Sequence, residues 1–247
     1  MTPERAETLE QLADAVPAHD DGRTVRVGVD GVDGAGKTVL ADELAAVLEA
    51  RGRAVVRVGI DGFHHPRARR YRRGRRSAEG FYRDSYDLEA LRSHVLGPLG
   101  PGGGGRYVPA VHDVERDLAL TVEPRQAPAG AVLVLDGLFL HRPELVGEWD
   151  FSVLVTAPFE VTFARMAVRD GCPADPDHPD NQRYVGGQRL YFAEADPEHR
   201  ADVVVDNTDP AGPLLRRRHP PRPQVAAVAP RRHRLATVAP SRHRVDA

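Results

Sequence analysis

The sequence predicts an α/β domain built on a five-stranded parallel sheet covered by helices on both faces. Two observations carry the prediction. Five apolar, β-branched runs alternate with helical patterns along the chain, as in successive βαβ units. The first run also ends in a glycine-rich loop that opens directly into a helical pattern, TVRVGVD, GVDGAGKT and VLADELAAVL over residues 24–48. A chain of 247 residues with 41% hydrophobic content is long enough for one such domain and a tail.

Taken in order, residues 4–16 place Leu9, Leu12, Ala13 and Val16 at helical spacing and predict a short leading helix. The first strand, the glycine loop and a helix to about Ala50 follow, with Gly52 as the helix stop. AVVRVGI (54–60) is apolar on both faces, as a strand in a doubly covered parallel sheet must be. RARRYRRGRR (67–76) holds seven arginines in ten residues, and a helix is expected from about Asp87. Residues 97–105 are a glycine-rich loop, and RYVPAVHD and DLALTVE suggest a short β excursion. AVLVLDGLFL (131–140) and FSVLVTA (151–157) are the third and fourth strands, and the helix PFEVTFARMAVRD carries Pro158 in its first turn. The polar, proline-punctuated loop 171–181 precedes a helix through Ala195, and ADVVVDN (201–207) is the fifth strand.

The division expected is a folded domain over 1–210 and a disordered Arg/Pro/Ala-rich tail over 211–247, in which VAPRRHR recurs as VAPSRHR. That tail holds nine arginines against one aspartate, so the −2 net charge of the chain conceals an acidic body. An acidic body argues against a nucleic-acid-binding core and leaves the basic tail as the one segment suited to such a contact. The lone Cys172 allows no intrachain disulfide and fits a reducing compartment, no apolar run reaches membrane-spanning length, and no signal pattern opens the chain. A cytoplasmic protein is expected, free of membrane contact, and a homo-oligomer is compatible with the chain.

The glycine loop is the firmest chemical signal. GVDGAGKT matches G-x-x-x-x-G-K-[ST], with Gly31, Val32, Asp33, Gly34, Ala35, Gly36, Lys37 and Thr38 as the phosphate cradle. Its backbone N–H groups and the helix N-terminus face the phosphates of ATP, Lys37 reaches the β- and γ-phosphates, and the Thr38 hydroxyl ligates Mg²⁺. Lys37 is the single lysine among 34 basic residues, in a chain that otherwise uses arginine throughout. A compact ammonium is not replaceable by a planar guanidinium at such a cradle. Asp136 closes VLVLD, where an acid holds the Mg²⁺ directly or through water. Asp61 sits at the carboxyl end of the second strand, the ligand-binding end of an open α/β sheet, and is the candidate general base; the competing reading is a turn residue in an Asp-Gly pair.

Arg165 and Arg169, four apart on one helix face ahead of the 171–181 loop, are candidates to meet the transferring phosphate on closure, or else a surface ion-pair couple. The 67–76 arginines read as a solvated loop, as a binder of a phosphorylated substrate or nucleic acid, or as a source of one or two active-site arginines. Tyr82, Arg83, Asp84, His112 and Asp113 lie in segments able to roof a substrate pocket. Neither His64, His65, His112 nor Cys172 falls at a zinc spacing, and no structural metal is expected.

The segments VGVDGVDGAGKT, IDGFHHPR, GFYRDSYDLEAL, VLVLDGLFL and YFAEADPEHRADVVVDNTD together resemble the uridine kinase and phosphoribulokinase group of P-loop kinases, over about residues 22–210. The resemblance implies a P-loop NTPase fold with a lid segment running from Arg165 through 171–181. It implies Asp61 as catalytic base and Phe63 as the aromatic that follows it; His64, next in the same segment, is a further candidate for substrate binding. The implied reaction is ATP-dependent phosphorylation of a small hydroxyl compound, most simply the 5′-OH of uridine or cytidine, with pantothenate, ribulose 5-phosphate or another sugar as alternatives. GFYRDSYD matches the group's F-D-H-P-x-A-F-D segment only loosely, and PAVHDVERD lacks the tyrosine of its base-contacting segment. A nucleotide-hydrolysing switch or chaperone is the alternative from another class; the absence of any second lysine excludes a GTP-specifying N-K-x-D.

Overall fold

The first strand, β1 (Val25–Gly31), is buried along its whole length, and that burial fixes its place at the centre of the sheet. The computed structural model describes residues 1–19 and 21–218. Strands β2 (Val55–Gly59), β3 (Val132–Gly137), β4 (Phe151–Thr156) and β5 (Val203–Asp206) join β1 in the spatial order β2–β3–β1–β4–β5, all parallel. These are the five runs expected from the sequence. Valines 25, 27 and 29 of β1, with Val132, Val134, Val153 and Val203, face helices α1 (Pro3–Ala15) and α2 (Lys37–Ala50). Each such side chain removed from water contributes about 1.5–3 kcal/mol. The opposite face packs on α3 (Ala78–Asp84), a helical segment through residues 88–96, and α5 (Gln182–Ala195). Edge-to-face aromatics fill that layer, with Phe139 5.1 Å from both Tyr82 and Tyr191. Helix α4 (Phe159–Asp170) sits beside α5 through Phe163, Met166 and Val185.

One detail follows the sequence reading and one departs from it. The expected β excursion is a pair of two-residue ladders, Arg106–Tyr107 with Arg125–Gln126 and His112–Asp113 with Leu118–Ala119. The tail expected to be unstructured from residue 211 instead begins with a sixth strand, β6 (Leu214–Arg218), antiparallel on β5. The reason is local. Leu215 is partly buried against the α1 side of the core, the Thr8 hydroxyl donates to the Pro213 carbonyl at 2.8 Å, and the otherwise open edge of β5 offers backbone partners. The rest of the expected tail, 219–247 with its repeated motif, lies outside the described residues. Among the described residues no helix is long and apolar enough to cross a membrane.

Candidate active site

The loop between β1 and α2 folds as a cradle because its glycines allow it. Gly36 stands at the N-cap of α2 with φ +92°, Gly34 has φ +72°, and a Cβ on Gly36 would lie 2.5 Å from Nδ2 of Asn207. No side chain caps α2, so its first-turn N–H groups remain available to an anion. Asn207, at the end of β5, donates to the Ala35 carbonyl at 2.7 Å. The buried Arg5 of α1 donates to Asn207 Oδ1 (3.3 Å) and to the Pro210 carbonyl (2.8 Å), tying the leading helix to the loop. The side-chain amide of Gln188 on α5 holds Asp33 twice, its oxygen accepting the Asp33 N–H and its nitrogen donating to Asp33 Oδ2, each at 3.3 Å.

Beneath the cradle, Asp30 is fully buried. One carboxylate oxygen accepts the Gly31 N–H at 2.7 Å; the other accepts the His141 N–H, faces His141 Nδ1 at 2.7 Å and accepts the Tyr191 hydroxyl. Burial and the neighbouring Asp30 hold the Tyr191 phenol far above its ordinary pKa, so it remains a donor. A carboxylate so fully bonded locks the root of the loop to α5 and to the segment after β3.

Thr38 of α2 and Asp136 of β3 stand side by side. The parallel register sets Asp136 opposite Val29 on β1, and the Thr38 hydroxyl donates to Asp136 Oδ2 at 2.6 Å. Arg57 donates to the other oxygen at 3.0 Å and to Asp42. A hydroxyl and a carboxylate are the hard oxygen donors that Mg²⁺ prefers, so these residues fit the ion. Among the described residues no cluster of three or more His, Cys, Asp or Glu could hold a metal unaided. A cation here would complete its shell with phosphate oxygens and water, as Mg²⁺ ordinarily does.

A cleft of about 350 Å³ opens beside the cradle and is lined by Asp33, Asp61, His64, Tyr86 and Arg169, among others. Asp61 stands in a single 3₁₀ turn, Ile60–Phe63, at the end of β2. The Tyr86 hydroxyl donates to Asp61 Oδ1 at 3.1 Å, and His64 Nδ1 lies 3.8 Å from that oxygen and 2.9 Å from the Asp61 carbonyl. Burial, reinforced by Asp61, pushes the Tyr86 pKa far up and keeps its proton in place. Burial lowers the pKa of His64 despite its bond to the Asp61 carbonyl, so its ring is neutral at neutral pH. Burial raises Asp33; Lys37 pulls it back, and Asp61 pushes it further up. Lys37 Nζ rests 3.4 Å from the Val32 carbonyl.

The other residues expected at the substrate are not brought to this cleft. Phe63 is in the core, and Tyr82 is buried against Phe139 and Tyr191. Arg83 pairs with Glu79 and Glu194 on the surface. Asp84 is buried under Arg72 (2.6 Å) and Arg73 (2.9 Å); burial opposes its ionisation, but those two bonds outweigh it and its pKa falls. His112 bonds Asp117 at 3.3 Å, and Asp113 caps the turn at Glu115 and Arg116. The arginine run is therefore not a solvated loop throughout: Arg72 and Arg73 hold Asp84, and Arg70 lines the cleft. Of the lid pair, Arg165 donates to the carbonyls of Gly34, Asn207 and Thr208, so it braces the cradle from outside. Arg169 lines the cleft and makes two 2.7 Å bonds to Asp170. The 171–181 loop begins at Gly171 (φ +72°) and is folded on Asn181, whose amide donates to the carbonyls of Pro173 and Asp175 at 2.8 Å.

Asp30, Tyr86, His141, Arg183, Tyr191 and Asn207 were not singled out from the sequence. A charged residue ending an otherwise apolar strand, as Asp30 does, is the one signal that was available for any of them.

Fold and cradle together have the form of the P-loop NTPase fold. More particularly, the fold is shared with solved structures, two of which are described as kinases. One, described as a possible uridine kinase from Bacillus stearothermophilus, is 22% identical with a TM-score of 0.63, covering 81% of this chain and 97% of its own. Another, provisionally assigned as a fructose transport system kinase from Silicibacter sp. TM1040, is 23% identical with a TM-score of 0.62, covering 79% and 96%. The YGR205w protein is 11% identical with a TM-score of 0.56, covering 83% and 94%. No family model and no curated protein matches the sequence.

Proposed function

We propose that the chain is an Mg²⁺- and ATP-dependent phosphotransferase acting on a hydroxyl of a small molecule. The observation that carries this reading is the placement of Asp61 in the same cleft as the cradle residue Asp33, with its Oδ1 held by Tyr86. A cradle alone serves hydrolysis as well as transfer. A carboxylate facing the cleft adds a proton acceptor for an incoming hydroxyl. The fold shared with small-molecule kinases supports the same reading.

In this mechanism the loop amides and Lys37 bind the ATP phosphates, and Thr38 with Asp136 would hold Mg²⁺, which neutralises phosphate charge. Asp61 accepts the proton of the acceptor hydroxyl as that oxygen bonds to the γ-phosphorus and the bond to the ADP oxygen breaks. The Tyr86 hydroxyl keeps Asp61 oriented. Arg169, on exchanging Asp170 for phosphate, meets the charge that develops in transfer. Base assistance of this kind accelerates transfer by about 10²–10⁴-fold. The 5′-hydroxyl of uridine or cytidine, implied by the sequence resemblance, is the first acceptor to test. ADP release is measured with uridine, cytidine, pantothenate, ribulose 5-phosphate and unmodified sugars. An acceptor-dependent rate is the expected result. A constant basal hydrolysis indifferent to every acceptor would replace the kinase with a nucleotide-hydrolysing switch.

A further inference from the structure

Arg183, in the first turn of α5, is 5% exposed and lines the cleft. Its guanidinium donates to the carbonyls of Ser77 (3.1 Å) and Arg70 (3.2 Å) and lies over the Tyr71 ring, 4.7 Å from its centroid. No carboxylate pairs with it among the described residues. Asp84, the acid whose field it feels, is already engaged by Arg72 and Arg73. Arg70 lines the same cleft, with its Nε buried and without a hydrogen-bond partner. Its Nη2 stands 3.5 Å from Asp117, which is also held by the Arg67 N–H at 2.7 Å and by His112. Arg169 and Asp170, by contrast, neutralise each other.

A buried cation with no counter-charge is costly, and burial indeed lowers the pKa of Arg183. A planar guanidinium fork is shaped for carboxylate or phosphate oxygens. Nucleotide phosphates already have Lys37 and the α2 N-terminus. We propose that the phosphate acceptor carries an oxyanionic group, a carboxylate or a phosphate ester, that seats on Arg183 and Arg70 while its hydroxyl faces Asp61. This rests on the kinase reading and departs from an uncharged nucleoside as acceptor.

The test is made on the full chain with the cradle filled by a non-hydrolysable ATP analogue and Mg²⁺. It is titrated calorimetrically with inorganic phosphate, and with the matched pairs glycerate and glycerol, ribulose 5-phosphate and ribulose, with uridine as the neutral nucleoside. The expected result is phosphate binding, with at least one anion held tenfold or more tighter than its uncharged counterpart. Arg183→Gln and Arg70→Gln, confirmed as folded by thermal melting, should erase that preference and change affinity for the ATP analogue less than twofold. Absence of oxyanion binding, equal binding within the pairs, or preference for uridine overturns the proposal. So does an Arg183→Gln protein whose defect lies in ATP-analogue affinity. If the variants do not fold, the wild-type pairs decide. Turnover separates the two readings: phosphorylation of neutral acceptors alone keeps the kinase and removes the oxyanion seat. Oxyanion binding without transfer to any acceptor keeps the seat and removes the kinase.

Discussion

Replacing Gly36 by alanine should damage the cradle in a way that can be worked out from its surroundings. The residue has φ +92°, where a side chain costs about 1–2 kcal/mol. Its new Cβ would lie 2.5 Å from Asn207 Nδ2, so Asn207 must swing away and release the Ala35 carbonyl it holds at 2.7 Å. Leaving that buried carbonyl unmet costs about 1–3 kcal/mol more. Gly52 is the matched control: its φ is +78°, but no atom lies within 4 Å of a built Cβ, so Gly52→Ala carries only the strain of about 1–2 kcal/mol. Urea unfolding should therefore place Gly36→Ala below Gly52→Ala by about 1–3 kcal/mol, and ATP affinity should fall about tenfold or more in the first and stay unchanged in the second. Equal destabilisation of the two variants would refute the argument that Asn207 is the strut of the loop.

Asp61→Asn should lower turnover by about 10²–10⁴-fold while ATP affinity stays within a factor of about two; undiminished turnover would remove Asp61 as the base. Tyr86→Phe, which removes only the group orienting Asp61, should cost about tenfold in kcat, and a loss as large as that of Asp61→Asn would make Tyr86 more than a positioning residue. Lys37→Ala should abolish ATP-dependent transfer in the ADP-release assay. Asp84→Asn should lower unfolding free energy at pH 7 by about 1–3 kcal/mol, discounted because Arg72 and Arg73 are partly exposed. Because the folded pKa of Asp84 lies below its ordinary value of 3.8, its contribution is complete above that value and is lost as pH falls through the lowered one. Denaturation curves of wild type and variant should thus converge in acid, and a gap that persists there would point to packing.

The sheet was legible because its strands are buried on both faces, so TVRVGVD and VLVLDG read as continuous apolar runs with an acid at the sheet's ligand end. Thr38 and Asp136 were legible for the same reason: the cradle motif and an acid-terminated strand both mark that end. Long-range polar pairing was not. Nothing local distinguishes Asp84, clamped by Arg72 and Arg73, from a substrate-binding acid. An arginine run reads as solvated, yet Arg70 of that run, joined by Arg183 from α5, lies over Tyr71 and withdraws from water. The pairing of Tyr191 with Asp30 spans most of the chain. Leu214 and Leu215 were outweighed by the arginine and proline around them, although they begin the strand that pairs along the open edge of β5.

The folded state of the 171–181 loop bears on how weak a ligand can be and still be enclosed. Fixing one residue's backbone costs about 1–2 kcal/mol, while a millimolar ligand brings only about 4 kcal/mol to the encounter. A loop that had to be ordered from scratch would consume that within a few residues. Asn181, by holding the carbonyls of Pro173 and Asp175, has the loop wound before any ligand arrives. With that order already made inside the chain, none of a weak ligand's binding energy is drawn into winding the loop.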